Sequence, residues 1–96
     1  MFIAILTCKP NAWELREATK PAHDNYWNTR MDKLKFAGPI LAEDGRTRLG
    51  QILLVDLADR AAAEELVLND PFVKAGVFAD YRISRFRLSV ELGKAL

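Results

Sequence analysis

The spacing of apolar and polar residues changes period several times along the chain, and each change predicts an element. Met1 to Cys8 is β-rich and apolar at both parities, the pattern of a central strand covered on both faces. Pro10 ends that run, and Asn11 with Glu14 has the spacing of a capping box, which predicts a short helical turn. Thr19, Lys20 and Pro21 interrupt the turn, and Pro21 suits the first turn of a new helix, where its missing N–H would have had no partner. From there His23, Tyr26, Trp27, Arg30, Met31 and Leu34 fall on one face at the helical period. The main helix is therefore expected to run from Pro21 to Lys33 or Lys35, with the two cations complementing its dipole. Its aromatic face should be buried or line a cavity, and it carries the only histidine of the chain.

The second half alternates strand and helix signals. Phe36 to Glu43 and Leu49 to Leu57 read as antiparallel strands joined through the Asp44-Gly45 turn. Gly38-Pro39 makes the first of them an edge or bulged strand, because proline donates no ladder hydrogen bond. Leu49 to Leu57 is apolar at both parities and looks central. Asp59 can cap a helix over Arg60 to Leu68, and Asn69-Asp70-Pro71-Phe72 stops it. A short turn from Pro71 to Ala75 closes at Gly76. The last strand, Val77 to Arg87, alternates Val77, Ala79, Tyr81 and Ile83 against Phe78, Asp80, Arg82 and Ser84. Residues 88–96 form a tail with Leu88, Val90 and Leu92 at alternate positions, suited to a strand added to a partner.

The order is β-α-β-β-α-β over a single domain, residues 1–96. This is the α+β, ferredoxin-like arrangement: a four-stranded antiparallel sheet, spatial order 4-1-3-2, with two helices on one face. Strands one and three are apolar on both faces, yet the helices cover only one. The uncovered face predicts a homodimer packed sheet to sheet.

Composition narrows the function classes. With 96 residues, 50% of them hydrophobic, and a formal charge of +1, there is no basic stripe for nucleic acid and no membrane-spanning run. The third strand also lacks the stacking aromatics of an RNA-binding sheet. The N-terminal run has no basic segment before it and Lys9-Pro10 after it, unlike a secretory signal. The single cysteine, Cys8, excludes an intramolecular disulfide and fits a reducing, cytoplasmic setting. One histidine and one cysteine leave a zinc or iron centre short of ligands, so no metal and no cofactor are expected.

The main helix with His23 followed by Tyr26, then Gly38-Pro39-Ile40, Asp44-Gly45, Gly50 to Asp56 and Asn69 to Phe78 together resemble the YCII-related (YciI-like) domain family. The resemblance covers nearly the whole chain. It implies a dimeric α+β barrel with a pocket holding a histidine and an aspartate, here His23 and Asp70. Some members act on muconolactone-like ring compounds by dechlorination or isomerisation. Family members often carry an arginine a few residues before the histidine, where this chain has Lys20-Pro21.

A carboxylate beside a histidine fixes the imidazole tautomer and stabilises the imidazolium, which is the chemistry of a proton-transfer unit. The resemblance thus implies a cofactor-free lyase or isomerase acting on a small organic acid or lactone, with His23 and Asp70 as its catalytic pair. Tyr26, Gly38, Pro39 and Arg82 are the candidate substrate-binding residues, Arg82 for a substrate carboxylate. Each also has a structural reading: core packing for His23 and Tyr26, edge-strand shaping for Gly38-Pro39, an ion pair with Asp80 for Arg82. Asp70 before Pro71 is equally good helix-cap chemistry. A small-molecule-binding or structural dimer without catalysis is the alternative, and a cofactor-free or haem-using monooxygenase on the same barrel is a further class.

Overall fold

A computed structural model describes the whole chain, Met1–Leu96. Strand β1 (Phe2–Cys8) leads into helix α1 (Trp13–Asn28), a 3-10 turn (Met31–Lys33), strands β2 (Leu34–Leu41) and β3 (Arg48–Val55), and helix α2 (Arg60–Leu68). A one-and-a-half-turn helix α3 (Pro71–Ala75), strand β4 (Phe78–Arg85) and a terminal hairpin β5 (Val90–Glu91) and β6 (Lys94–Ala95) complete it. The main sheet is antiparallel in the order β2-β3-β1-β4, which is the expected ferredoxin-like topology with β1 and β3 central and the Gly38-Pro39 strand at an edge.

One sheet face carries the core. Phe2, Ala4 and Leu6 of β1, Leu53 and Val55 of β3 and Ile83 of β4 pack with Trp27 of α1 and with Ala63, Leu66 and Val67 of α2. Burying such side chains contributes roughly 1.5–3 kcal/mol each relative to exposure. The other face carries Ile3 and Ile5, in register with Leu54 and Ile52, and Phe36 beside Leu54. Leu54 is fully buried, whereas Phe36 stays 47% exposed. Gly50 lies where strands β1 and β3 approach closely: a Cβ there would meet the Leu6 carbonyl oxygen at 2.3 Å.

Five local expectations are corrected. Pro21 lies in the middle of a continuous α1 rather than in its first turn. A proline there removes the bond to the Glu17 carbonyl and costs about 3 kcal/mol, which the packing of α1 on α3 and the core outweighs. The helix starts at Trp13 with Ala12 as N-cap, while Asn11 takes a left-handed backbone (φ 61) instead of capping it. It ends at Asn28, not near Lys33 or Lys35. There the Arg30 guanidinium (2.8 Å) and Thr29 hydroxyl (3.3 Å) both donate to the Tyr26 carbonyl, closing the last turn with side chains. Arg30, Met31 and Leu34 thus lie beyond the helix.

In β4 the register against β1 shifts between Asp80 and Phe78. That bulge turns Phe78 onto the helix-covered side, where it packs against the core, while Arg82, paired with Ile5, faces the other way. Strict strand alternation puts them on one face. Finally, the tail pairs with itself, Val90 with Ala95 and Glu91 with Lys94, around positive-φ Leu92 and Gly93.

Candidate functional site

The site is assembled at the junction of α2 and α3. Asp59 caps α2 by accepting from the Ala62 N–H at 3.0 Å, and the helix ends at Asn69. Asp70 then becomes the N-cap of α3, with Pro71 at the first helical position and Gly76 (φ 86) terminating it in a left-handed conformation that favours glycine. The carboxylate of Asp70 is held in place by this turn. It is 2% exposed.

Three donors converge on it. Oδ1 takes the Phe72 backbone N–H at 2.9 Å and meets His23 Nδ1 at 2.7 Å, and Oδ2 takes the Trp27 Nε1–H at 3.0 Å. The capping role and the pairing with histidine therefore coexist in one side chain. Because the carboxylate only accepts, His23 donates from Nδ1, which leaves the lone pair on Nε2. Nε2 has no protein partner, and no buried side-chain polar atom of the chain is unpartnered, so this nitrogen reaches solvent. The imidazole also stacks on Phe72, with centroids 3.8 Å apart and planes 12° apart, and Phe72 meets Phe78 edge-on at 6.4 Å. The result is a histidine oriented on one nitrogen and free on the other.

His23 and Asp70 are thus brought together. Tyr26 is adjacent on α1, but its hydroxyl donates to the Leu66 carbonyl at 2.5 Å and its ring lies 4.0 Å from the Arg30 guanidinium carbon. Burial pushes its phenol up, against the lowering charge of Arg30. The bond ties α1 to α2. Gly38 and Pro39 sit on edge strand β2, opposite Ile52 and Gln51, and Arg82 lies on the sheet face away from the helices. The structure places none of these three against the His23–Asp70 pair. Two cavities, of about 910 and 290 Å³, open on the chain: the larger runs past Cys8, Trp13, Arg16 and Arg48, the smaller past Tyr26, Arg30 and Leu57. Neither is lined by His23 or Asp70. No group of three or more His, Cys, Asp or Glu side chains is gathered as a metal site would need.

Three neighbours escape sequence reasoning. Periodicity puts Trp27 in the core but is silent on its indole N–H, and Phe72 reads as a helix stop rather than a ring platform. Arg16 stands seven residues before His23, so it shares the helical face, with its guanidinium carbon 5.3 Å from the Phe72 ring centroid. Breaking the helix at Pro21 hides that relation. Around it, burial raises the Cys8 thiol against the lowering charges of Arg16 and Arg48. The side-chain hydrogen bond from Lys20, 2.8 Å away, holds Asp24 below the usual carboxylate range.

Similar proteins place this geometry in context. The structure is similar to that of the 5-chloro-2-hydroxyhydroquinone dehydrochlorinase TftG from Burkholderia phenoliruptrix AC1100, solved in complex with 2,5-dihydroxybenzoquinone. The TM-score is 0.78 at 27% identity, covering 91% of this chain and 94% of that one. The protein At3g17210 from Arabidopsis thaliana matches with a TM-score of 0.45 at 15% identity, over 95% of this chain and 97% of its own. No curated protein matches the sequence. The YCII-related domain matches residues 1–87, and the chain belongs to that family.

Proposed function

We propose that this protein is a small cofactor-free enzyme that moves a proton in an elimination or isomerisation of a small organic acid, lactone or related ring compound. The observation that carries the reading is the His23–Asp70 pair, with Nδ1 donated to a buried carboxylate and Nε2 open. Nε2 takes a proton from an acidified C–H, the C–H electron pair forms the new π bond, and a leaving group on the next carbon departs with its own bonding pair. The imidazolium that results keeps its Nδ1–H on Asp70 and returns the Nε2 proton to solvent or, in an isomerisation, to another carbon. Similarity to a dehydrochlorinase supports elimination as the first reaction to test.

The protein acts as a homodimer in this reading. Ile3, Ile5, Ile52 and the exposed Phe36 form an apolar sheet face that no helix of the same chain covers. That His23 lines neither of the two cavities described above also favours a second copy completing the pocket. The same fact favours a second reading, in which the dimer binds a small molecule without turning it over. The setting is cytoplasmic in this proposal, consistent with a lone thiol; no helix is long and apolar enough to cross a membrane.

The test is turnover of 5-chloro-2-hydroxyhydroquinone and of chlorinated and unsubstituted lactone acids, followed by chloride release and by deuterium exchange at the acidic carbon. Turnover that falls about 10²- to 10⁴-fold in His23→Asn supports the proposal. No turnover or exchange of any of them, or turnover indifferent to His23, leaves the binding dimer. Sedimentation equilibrium checks assembly, and a monomer would overturn the homodimer.

A further inference from the structure

The larger cavity is a groove of about 910 Å³ between the end of β1, the start of α1 and the β2–β3 connection, and its wall is unusually rich in cations: Lys9, Arg16, Arg46 and Arg48. Only one acid lines it. That acid, Asp44, is already engaged by the Arg46 and Thr47 backbone N–H groups at 2.8 Å and by the Thr47 hydroxyl at 2.5 Å. Lys9, Arg46 and Arg48 make no ion pair within the chain. Arg16 has only its sequence neighbour Glu17, at 3.1 Å, although its side chain is just 12% exposed.

Guanidinium groups held near one another and partly out of water repel, and an anion between them removes the cost. Burial and then the charge of Arg48 already push the Arg16 guanidinium below its ordinary value. Beside the cations the wall presents two large, uncovered apolar side chains: Trp13 is 62% and Leu49 50% exposed. Arg16 also joins the groove to the reaction centre, since it lies 5.3 Å from the same Phe72 ring on which His23 stacks at 3.8 Å.

We propose that this groove binds an organic carboxylate with a flat apolar body, the carboxylate held by Arg16 and Arg48 and the body resting on Trp13 and Leu49. Arginine suits the task because its planar fork matches a carboxylate bidentately. The inference deepens the proposed function by naming the substrate as an anionic acid, and it rests on that reading only for the step from bound ligand to substrate.

Binding requires no turnover, so the experiment uses both native protein and His23→Asn. The indole N–H of Trp13 is followed by NMR during titration with benzoate, benzamide and inorganic phosphate, with buried Trp27 as the internal reference. Saturable benzoate binding in both proteins is expected, weakened about tenfold or more in Arg48→Gln and for benzamide. Arg16→Gln should act in the same direction, but it also touches Phe72, so Arg48 is the deciding variant. Absence of benzoate binding, equal binding of benzamide, unchanged affinity in Arg48→Gln, or phosphate binding as tightly as benzoate would each overturn the carboxylate site. Benzoate binding that persists in a protein without turnover would keep the groove and remove the catalytic reading.

Discussion

Asp70→Asn tests the physical basis of the site most directly, because one oxygen would be replaced by a donor in a place where three donors point. Oδ1 serves Phe72 N–H at 2.9 Å and His23 Nδ1 at 2.7 Å, and Oδ2 serves Trp27 Nε1–H at 3.0 Å, all around a side chain that is 2% exposed. An asparagine can keep its oxygen toward Phe72 and His23, but its NH₂ then faces the indole N–H. That leaves a buried donor unpaired, at a cost of about 1–3 kcal/mol, on top of the lost charge assistance. The opposite flip satisfies Trp27 and gives up the α3 cap, worth about 1 kcal/mol, and it forces the His23 proton from Nδ1 to Nε2. Either orientation destabilises the fold by about 1–3 kcal/mol. Urea denaturation measures that loss. Long-range ¹H–¹⁵N correlation of the single imidazole shows which nitrogen carries the proton, since no other histidine contributes. Native protein protonated on Nδ1, with stability lowered in the variant, is the expected pair of results. Native protein protonated on Nε2, or a variant of unchanged stability and tautomer, would refute the assignment of Asp70 as the anchor of His23.

Other consequences are local. Gly50→Ala should destabilise by about 1–3 kcal/mol, since its Cβ would sit 2.3 Å from the Leu6 carbonyl oxygen, while Gly38→Ala, with nothing within 4 Å, should cost far less in the same denaturation assay. Pro21→Ala restores a helical donor and removes a clash, so it should stabilise by up to about 3 kcal/mol; an unchanged or lower midpoint would mean that α1 needs its proline. Asp44 is held below the usual carboxylate range first by the Thr47 hydroxyl and then by the Thr47 and Arg46 N–H groups. A depressed folded value means its stabilisation is present above the unfolded value and lost as pH falls through the folded one. Asp44→Asn should therefore be less stable than native near neutral pH and converge with it in acid below the ordinary carboxylate value, and a gap that stays constant down to acid would contradict the role.

How much of this was legible in the residues differs by kind of feature. Topology was, because most strands and helices carry their own periodicity and local markers, as with Gly38-Pro39 inside the edge strand and Asp59 at the start of α2. The Asn69-Asp70-Pro71 cap was legible for the same reason: its hydrogen bond is made within two residues. Local rules misled where tertiary packing outweighed them. Pro21 ought to start a helix, but α1 runs through it, and that continuity is what puts Arg16 on the face of His23 and Trp27. The bulge beside Ala79 reverses Phe78 relative to Arg82, a shift that strand alternation cannot reveal.

The sequence by itself determined the ferredoxin-like order, the central and edge strands, and the presence of a lone histidine and a capping aspartate. Only the tertiary structure decided that these two residues, 47 positions apart, share a 2.7 Å contact, because nothing in a local pattern encodes a distance across that separation. It alone also decided that the Trp27 indole completes the carboxylate's shell, that Phe72 stacks on the imidazole, and that cations from the end of β1, from α1, from the β2–β3 connection and from the start of β3 meet in one groove. Such convergence depends on how the helices lie on the sheet, which follows from the whole core and not from any one segment of chain.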